Sequence, residues 1–137
     1  MYFKNRSVLV AGGTGLVGIP LVKLLIEQGA NVRIASMDDS SRAHPQAEFL
    51  KLDLTNYDNC LTACRGIDYV FNLLCAKGSP DTVKKHPATL MRPMILFNTH
   101  LFDAALWSKV GGFLYTSSIG VYYPASIYHE DDTDCTP

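Results

Sequence analysis

The sequence predicts an α/β protein built on a doubly wound parallel sheet, and three observations lead there. Short apolar runs alternate with helical patterns, which calls for parallel strands joined by right-handed crossovers. The predicted strands carry few charges, as strands covered on both faces do. The first strand runs into a glycine-rich turn, VLVAGGTGLVG at residues 8–18, where the first helix must start.

Residues 7–11 read as a buried strand, and 16–28 as a helix with Leu16, Ile19, Val22, Leu25 and Ile26 on its inner side. Gly29 is placed to end that helix in the left-handed conformation. Residues 31–36 form the second strand, and 47–52 (AEFLKL) the third. Residues 57–64 suggest a short helix closed by Arg65-Gly66, and 67–75 (IDYVFNLLC) a nearly continuous apolar strand. The polar stretch 78–92, with Pro80 and Pro87, reads as a loop with room for a short helix. Pro93 then suits the first turn of a long helix, 94–109, with Ile95, Leu101, Phe102, Ala105 and Leu106 facing inward. Gly111-Gly112 ends it, and 113–117 (FLYTS) is the fifth strand. The tail from Tyr123 has turn residues and an acidic cluster without periodicity. The expected strand order is 3-2-1-4-5, with the switch point between the first and fourth strands.

The 137 residues, 47% of them hydrophobic, suit a single packed core. Twelve basic and thirteen acidic residues leave a net charge of -1 with no long single-sign run, which argues against a nucleic-acid partner. No apolar run approaches the roughly 20 residues that span a bilayer, and a membrane partner is not expected. The first strand begins too early for a signal peptide, so the expected location is cytoplasmic. Cys60 and Cys64, four apart, share a helix face as two metal ligands would. No second Cys or His pair follows at ligand spacing, so no metal site is expected and the thiols read as small buried hydrophobes.

Gly12, Gly15 and Gly18 fall at a GxxGxxG spacing between the first strand and helix. One glycine makes the tight turn, one lets the backbone approach a pyrophosphate, and one lets helix and strand pack closely. Gly13 and Thr14 complete the loop. The helix N-terminus offers unpaired N–H groups and a partial positive charge to the anion. NAD selectivity usually rests on an acid at the end of the second strand, and Ser36 stands there instead. Ser36, with Arg42 nearby, could accept the 2′-phosphate of NADP, whereas Asp38 would repel it. The cofactor is therefore NADP or NAD, with the balance towards NADP.

Several segments together resemble the N-terminal half of the NAD-dependent epimerase/dehydratase family, the extended short-chain dehydrogenases/reductases. These are VAGGTGLVG at 10–18, DLT at 53–55, NLLCA at 72–76, FNTHLFDAA at 97–105 and LYTSSIGVYYP at 114–124. The resemblance implies a Rossmann fold, truncated before its last strands, with residues 1–137 forming a partial NAD(P)-binding domain. It implies that Gly12, Gly15 and Gly18, with Leu16 and Val17, hold the pyrophosphate. Asp53 and Leu54 would flank the adenine, with Asp53 accepting from its exocyclic amine. Leu74, Cys75 and Ala76 would line the nicotinamide-ribose side, where the family more often reads HLAA. Asn98 matches an asparagine of the long helix, and Ser118 the catalytic serine or threonine.

The chemistry so implied is hydride transfer at a carbon of a nucleotide-sugar-like small molecule, with this chain as the cofactor half of a homo-oligomer. The family's tyrosine and lysine form a YxxxK motif, and no tyrosine from Tyr115 onward has lysine four residues later. The resemblance places that motif past Pro137, along with the substrate-binding portion, so the chain as given is expected to be inactive. The competing expectation is a non-catalytic NAD(P)-binding module that senses redox state.

Overall fold

A strand without charges and with both faces apolar is stable only inside a sheet, and β1 (Ser7–Ala11) lies at the centre of one. The computed structural model describes residues 2–76, 78, 81, 85–117 and 129. Around β1, β2 (Asn31–Ser36), β3 (Glu48–Lys51), β4 (Tyr69–Asn72) and β5 (Gly112–Tyr115) complete an all-parallel sheet in the order β3-β2-β1-β4-β5. This is the order that the alternating pattern predicts. Ala11 pairs with Ala35 of β2 and Asn72 of β4, and Asn72 pairs with Tyr115 of β5. That register brings the carboxyl ends of β1, β2, β4 and β5 to one edge of the sheet.

Among the described residues, three α-helices cover the faces: α1 (Gly18–Glu27), α2 (Tyr57–Cys64) and α3 (Pro87–Trp107). On one side, Val22 and Leu25 of α1 pack on Val8, Val10, Val32 and Ile34. On the other, α2 and α3 bury Cys60, Ala63, Phe97, Leu101 and Ala104 against Leu9, Ala11 and Val70. Asn56 starts α2 by accepting from the Asp58 and Asn59 N–H groups. Arg33 of β2 closes the other end of α2, where one guanidinium nitrogen donates to the carbonyls of Ala63 and Arg65. Its Nε donates to Glu48 at 2.7 Å.

Several expected boundaries and faces need correction. The first helix starts at Gly18, not Leu16; Leu16 belongs to the turn, is 91% exposed, and Ile19 also faces outward. Gly29, at φ +83°, does end it as predicted. The long helix begins at Pro87, so residues 87–92 are its first turns and Pro93 lies inside it, withholding one ladder N–H. Its inner face is consequently Phe97, Leu101, Ala104 and Ala105, while Ile95, Phe102 and Leu106 are exposed. That helix ends at Trp107, and the left-handed position after it falls on Lys109 at φ 57°, ahead of the glycine pair. The third, fourth and fifth strands are each shorter than their apolar runs, because pairing stops where the chain leaves the sheet edge.

Candidate functional site

The turn between β1 and α1 divides its tasks among three glycines. Gly12 has φ +80°, a conformation that side chains other than glycine rarely adopt, and it turns the chain out of β1. A methyl group on Gly18 would collide with the Gly12 carbonyl oxygen and lie 2.6 Å from the Gly13 Cα, so α1 rests on the turn backbone to backbone. Gly15 differs. A Cβ there would meet only the Gly12 carbonyl oxygen, at 3.2 Å, and would otherwise fill the open concavity of the turn. Beside it, Val17 at the cap position of α1 supplies no side-chain cap, and the first turn holds no acid. The Ile19 N–H is taken by the Gly15 carbonyl oxygen and Pro20 carries none, so what the helix start offers an anion is the positive end of its dipole. The residues present therefore fit a dinucleotide's pyrophosphate: an unfilled cradle next to an uncapped helix end.

Gly12 packs on the backbone that leaves β4, with its Cβ position 3.2 Å from the Leu73 carbonyl oxygen and 3.5 Å from the Leu74 nitrogen. The turn and residues 74–76 are thus neighbours across the β1–β4 boundary, where the strand order reverses. The exit of β4 is held by Asn72, which is buried. Its amide donates to Asn98 Oδ1 at 2.7 Å, its Oδ1 accepts the Leu74 N–H, and its carbonyl accepts both the N–H and the hydroxyl of Thr116. Asn98, singled out by resemblance alone, has a partner here. Cys75 is exposed.

At the end of β2, the placement of Ser36 changes its reading. The residue is 6% exposed and turned inward, 2.8 Å from the hydroxyl of Thr14, so it does not face an incoming phosphate. Asp38 does reach the surface, and its carboxylate accepts the Thr14 hydroxyl at 2.8 Å with Arg42 at 3.8 Å. Thr14 has no solvent exposure; the sequence places it among the cofactor-binding residues of the loop but does not reveal its buried link to Ser36 and Asp38. The signal that could have found it is a lone hydroxyl in an uncharged glycine turn, facing a serine and an aspartate at the next strand's end.

After β3, Asp53 is exposed and its Oδ1 takes the N–H and hydroxyl of Thr55. Leu54 is 4% exposed and its side chain belongs to the core with Cys60, so only its backbone could border an adenine there. Burial pushes the Cys60 thiol up to about 12, helped by Cys64 and Asp53. Burial likewise raises Cys64 to about 11, against the pull of Arg33. Both are inert core thiols, and among the described residues no group of His, Cys, Asp or Glu could hold a metal ion. No helix among them is long and apolar enough to cross a membrane. Ser118 lies outside the described residues.

A parallel sheet of order 3-2-1-4-5 whose glycine turn opens a helix at the switch point is a Rossmann fold. Within that class, residues 8–137 match the model of the NAD dependent epimerase/dehydratase family, and the chain belongs to it. It is 29% identical over 124 residues to an epimerase family protein of Staphylococcus saprophyticus, covering 90% of this chain and 41% of the relative. It is 34% identical to a 3 beta-hydroxysteroid dehydrogenase/Delta 5-->4-isomerase of Mycobacterium tuberculosis, over 83% of this chain and 32% of that protein. Among solved structures, a UDP-N-acetylglucosamine 4-epimerase of Methanobrevibacter ruminantium, in complex with UDP-N-acetylmuramic acid, superposes with a TM-score of 0.77. It is 26% identical, over 93% of this chain and 43% of the other. The chain thus spans about two-fifths of the length of the first of these relatives.

Proposed function

We propose that residues 1–137 are the dinucleotide-binding unit of an NAD(P)-dependent epimerase, dehydratase or reductase acting on a nucleotide sugar. The observation that carries this reading is the open cradle at Gly15 beside the uncapped start of α1. Family membership and the sugar nucleotide bound to the Methanobrevibacter relative support the substrate class. The cofactor, when bound, supplies hydride transfer at a sugar carbon. Around it, Gly12 to Gly18 would hold the pyrophosphate, Asp53 and the Leu54 backbone would border the adenine, and Leu74 to Ala76 would border the nicotinamide ribose. Ser118 would hydrogen-bond the reacting oxygen. The relatives' additional length is where a substrate pocket would be built, and a cytoplasmic setting suits the cofactor.

The balance between the two nucleotides moves from NADP to NAD. The case for NADP needed Ser36 at the surface, and its hydroxyl is engaged inside. Asp38 reaches the surface at the same strand end, where a carboxylate accepts from a ribose 2′-hydroxyl and repels a 2′-phosphate.

Calorimetric titration of the chain with NAD and with NADP tests the reading. Wild type should bind a dinucleotide, and Gly15→Val, which fills the cradle, should give no measurable heat. Equal affinity in both proteins would refute the loop assignment.

A further inference from the structure

Three hydrogen bonds at the switch point form a ring whose direction can be worked out. A carboxylate only accepts, so the Thr14 hydroxyl proton goes to Asp38 Oδ2 at 2.8 Å. Thr14 has no second proton, so in its 2.8 Å contact with Ser36 it must accept the Ser36 hydroxyl. Ser36 Oγ in turn accepts the Asp38 N–H at 3.1 Å. The ring therefore leaves Asp38 through its backbone, passes through Ser36 and Thr14, and returns to the side chain of Asp38. All donors point the same way round, an arrangement in which each bond polarises the next. Thr14 is wholly buried and Ser36 nearly so, which keeps water from replacing either hydroxyl.

We infer that Thr14 is a positioning residue for cofactor choice. It sets the rotamer of Asp38 and so ties the glycine turn, where the phosphates would lie, to the carboxylate that would read the ribose. This rests on the cofactor reading above. With the ring intact, the carboxylate is held beside the ribose position and away from closer pairing with Arg42, which stands 3.8 Å from the same oxygen. With it broken, Asp38 Oδ2 loses the hydroxyl that aims it and can draw closer to Arg42, and the penalty against a 2′-phosphate falls. A threonine that served only to fill the turn would affect both nucleotides alike.

The test is the ratio of NAD to NADP affinity, measured by calorimetry on the wild-type chain, Thr14→Val, Thr14→Ser, Asp38→Asn and the double variant Thr14→Val/Asp38→Asn. Wild type should prefer NAD. Thr14→Val, which keeps the shape and removes the hydroxyl, should lower the ratio about fivefold, the worth of one ordinary hydrogen bond, with NAD affinity falling and NADP affinity rising. Thr14→Ser should restore it. Once Asp38→Asn is present, Thr14→Val should leave the ratio unchanged, because the threonine acts through the carboxylate.

Equal weakening of both nucleotides by Thr14→Val would overturn the inference, as would additive effects in the double variant. A wild-type preference for NADP, or none, would overturn it together with the lean to NAD, while leaving the dinucleotide assignment of the glycine turn intact. Binding of neither nucleotide by wild type would remove both. Should Thr14→Val not fold, Ser36→Ala takes its place: it breaks two of the three bonds and should lower the ratio, and an unchanged ratio counts against the ring.

Discussion

Among the described residues, thirteen buried side chains lie between the sheet and the α2/α3 layer, against six beneath α1. The two faces reach their packing by opposite means. Under α2 and α3 the space is filled by side-chain volume, from Phe97 and Leu101 to the paired thiols of Cys60 and Cys64. Under α1 the closest contact has no side chain at all, for Gly18 rests on the backbone of Gly12 and Gly13. Where α1 does not reach, the N-terminal segment takes over: Phe3 packs edge-on against Tyr69 and Phe71 of β4, with ring centroids 5.5 and 5.9 Å apart. One face should therefore be intolerant of an added atom, and the other of a removed one.

The sharpest way to break that contrast is Gly18→Val. It should destabilise by about 4 kcal/mol or prevent folding, since neither the Gly12 carbonyl nor the Gly13 backbone can retreat without moving the turn. A urea midpoint near wild type would show that α1 is not seated backbone to backbone. Next comes Leu101→Ala on the opposite face, where emptying a side chain of no solvent exposure should remove about 3 kcal/mol. Leu106→Ala, one and a half turns further along the same helix, should stay within about 0.5 kcal/mol because its side chain is largely exposed. Equal losses at both positions would mean the inner face of α3 has been misassigned.

The smallest effect is chemical. Both core thiols hold their protons more tightly folded than unfolded, against an ordinary value of 9.0. Their stabilisation is whole below pH 9 and declines as pH rises towards 11 and 12, where the folded thiols ionise too. Unfolding midpoints at pH 8 and pH 10 should fall more steeply for wild type than for Cys60→Ala/Cys64→Ala. Tyr69, raised chiefly by its hydrogen bond to Tyr2, acts alike in both proteins, and Tyr57, raised chiefly by its hydrogen bond to Asp103, loses only a lesser contribution from Cys60. Identical slopes would place the thiols outside the sealed layer.

The bounds of β1, β2 and α2 could be read directly from residues 7–11, 31–36 and 57–64, and so could the strand order. These segments have clean periods and clear stops, such as Gly29 and the Arg65-Gly66 pair. The inner face of α3 could not be read, because Pro93 looks like a helix start and only the packed helix shows it six residues inside. Phase errors followed, with Ile95, Phe102 and Leu106 assigned to the core in place of Phe97 and Ala104. At the site, the glycine spacing was legible since it reflects a backbone requirement. The inward turn of Ser36 was not, because a strand-end serine has no periodicity to say which way it faces. Thr14 depends on partners 22 and 24 residues away, a separation that no local pattern reports.

Asn72 makes a different kind of demand on heredity. It serves α3 as a donor, the loop after β4 as an acceptor, and β5 through its carbonyl. Aspartate at this buried place would keep the acceptor and lose the donor, leucine would lose both, and serine would be too short to span the gap to Asn98. Few exchanges are thus open to the position, because each leaves a buried partner in α3 or in the loop after β4 without its hydrogen bond.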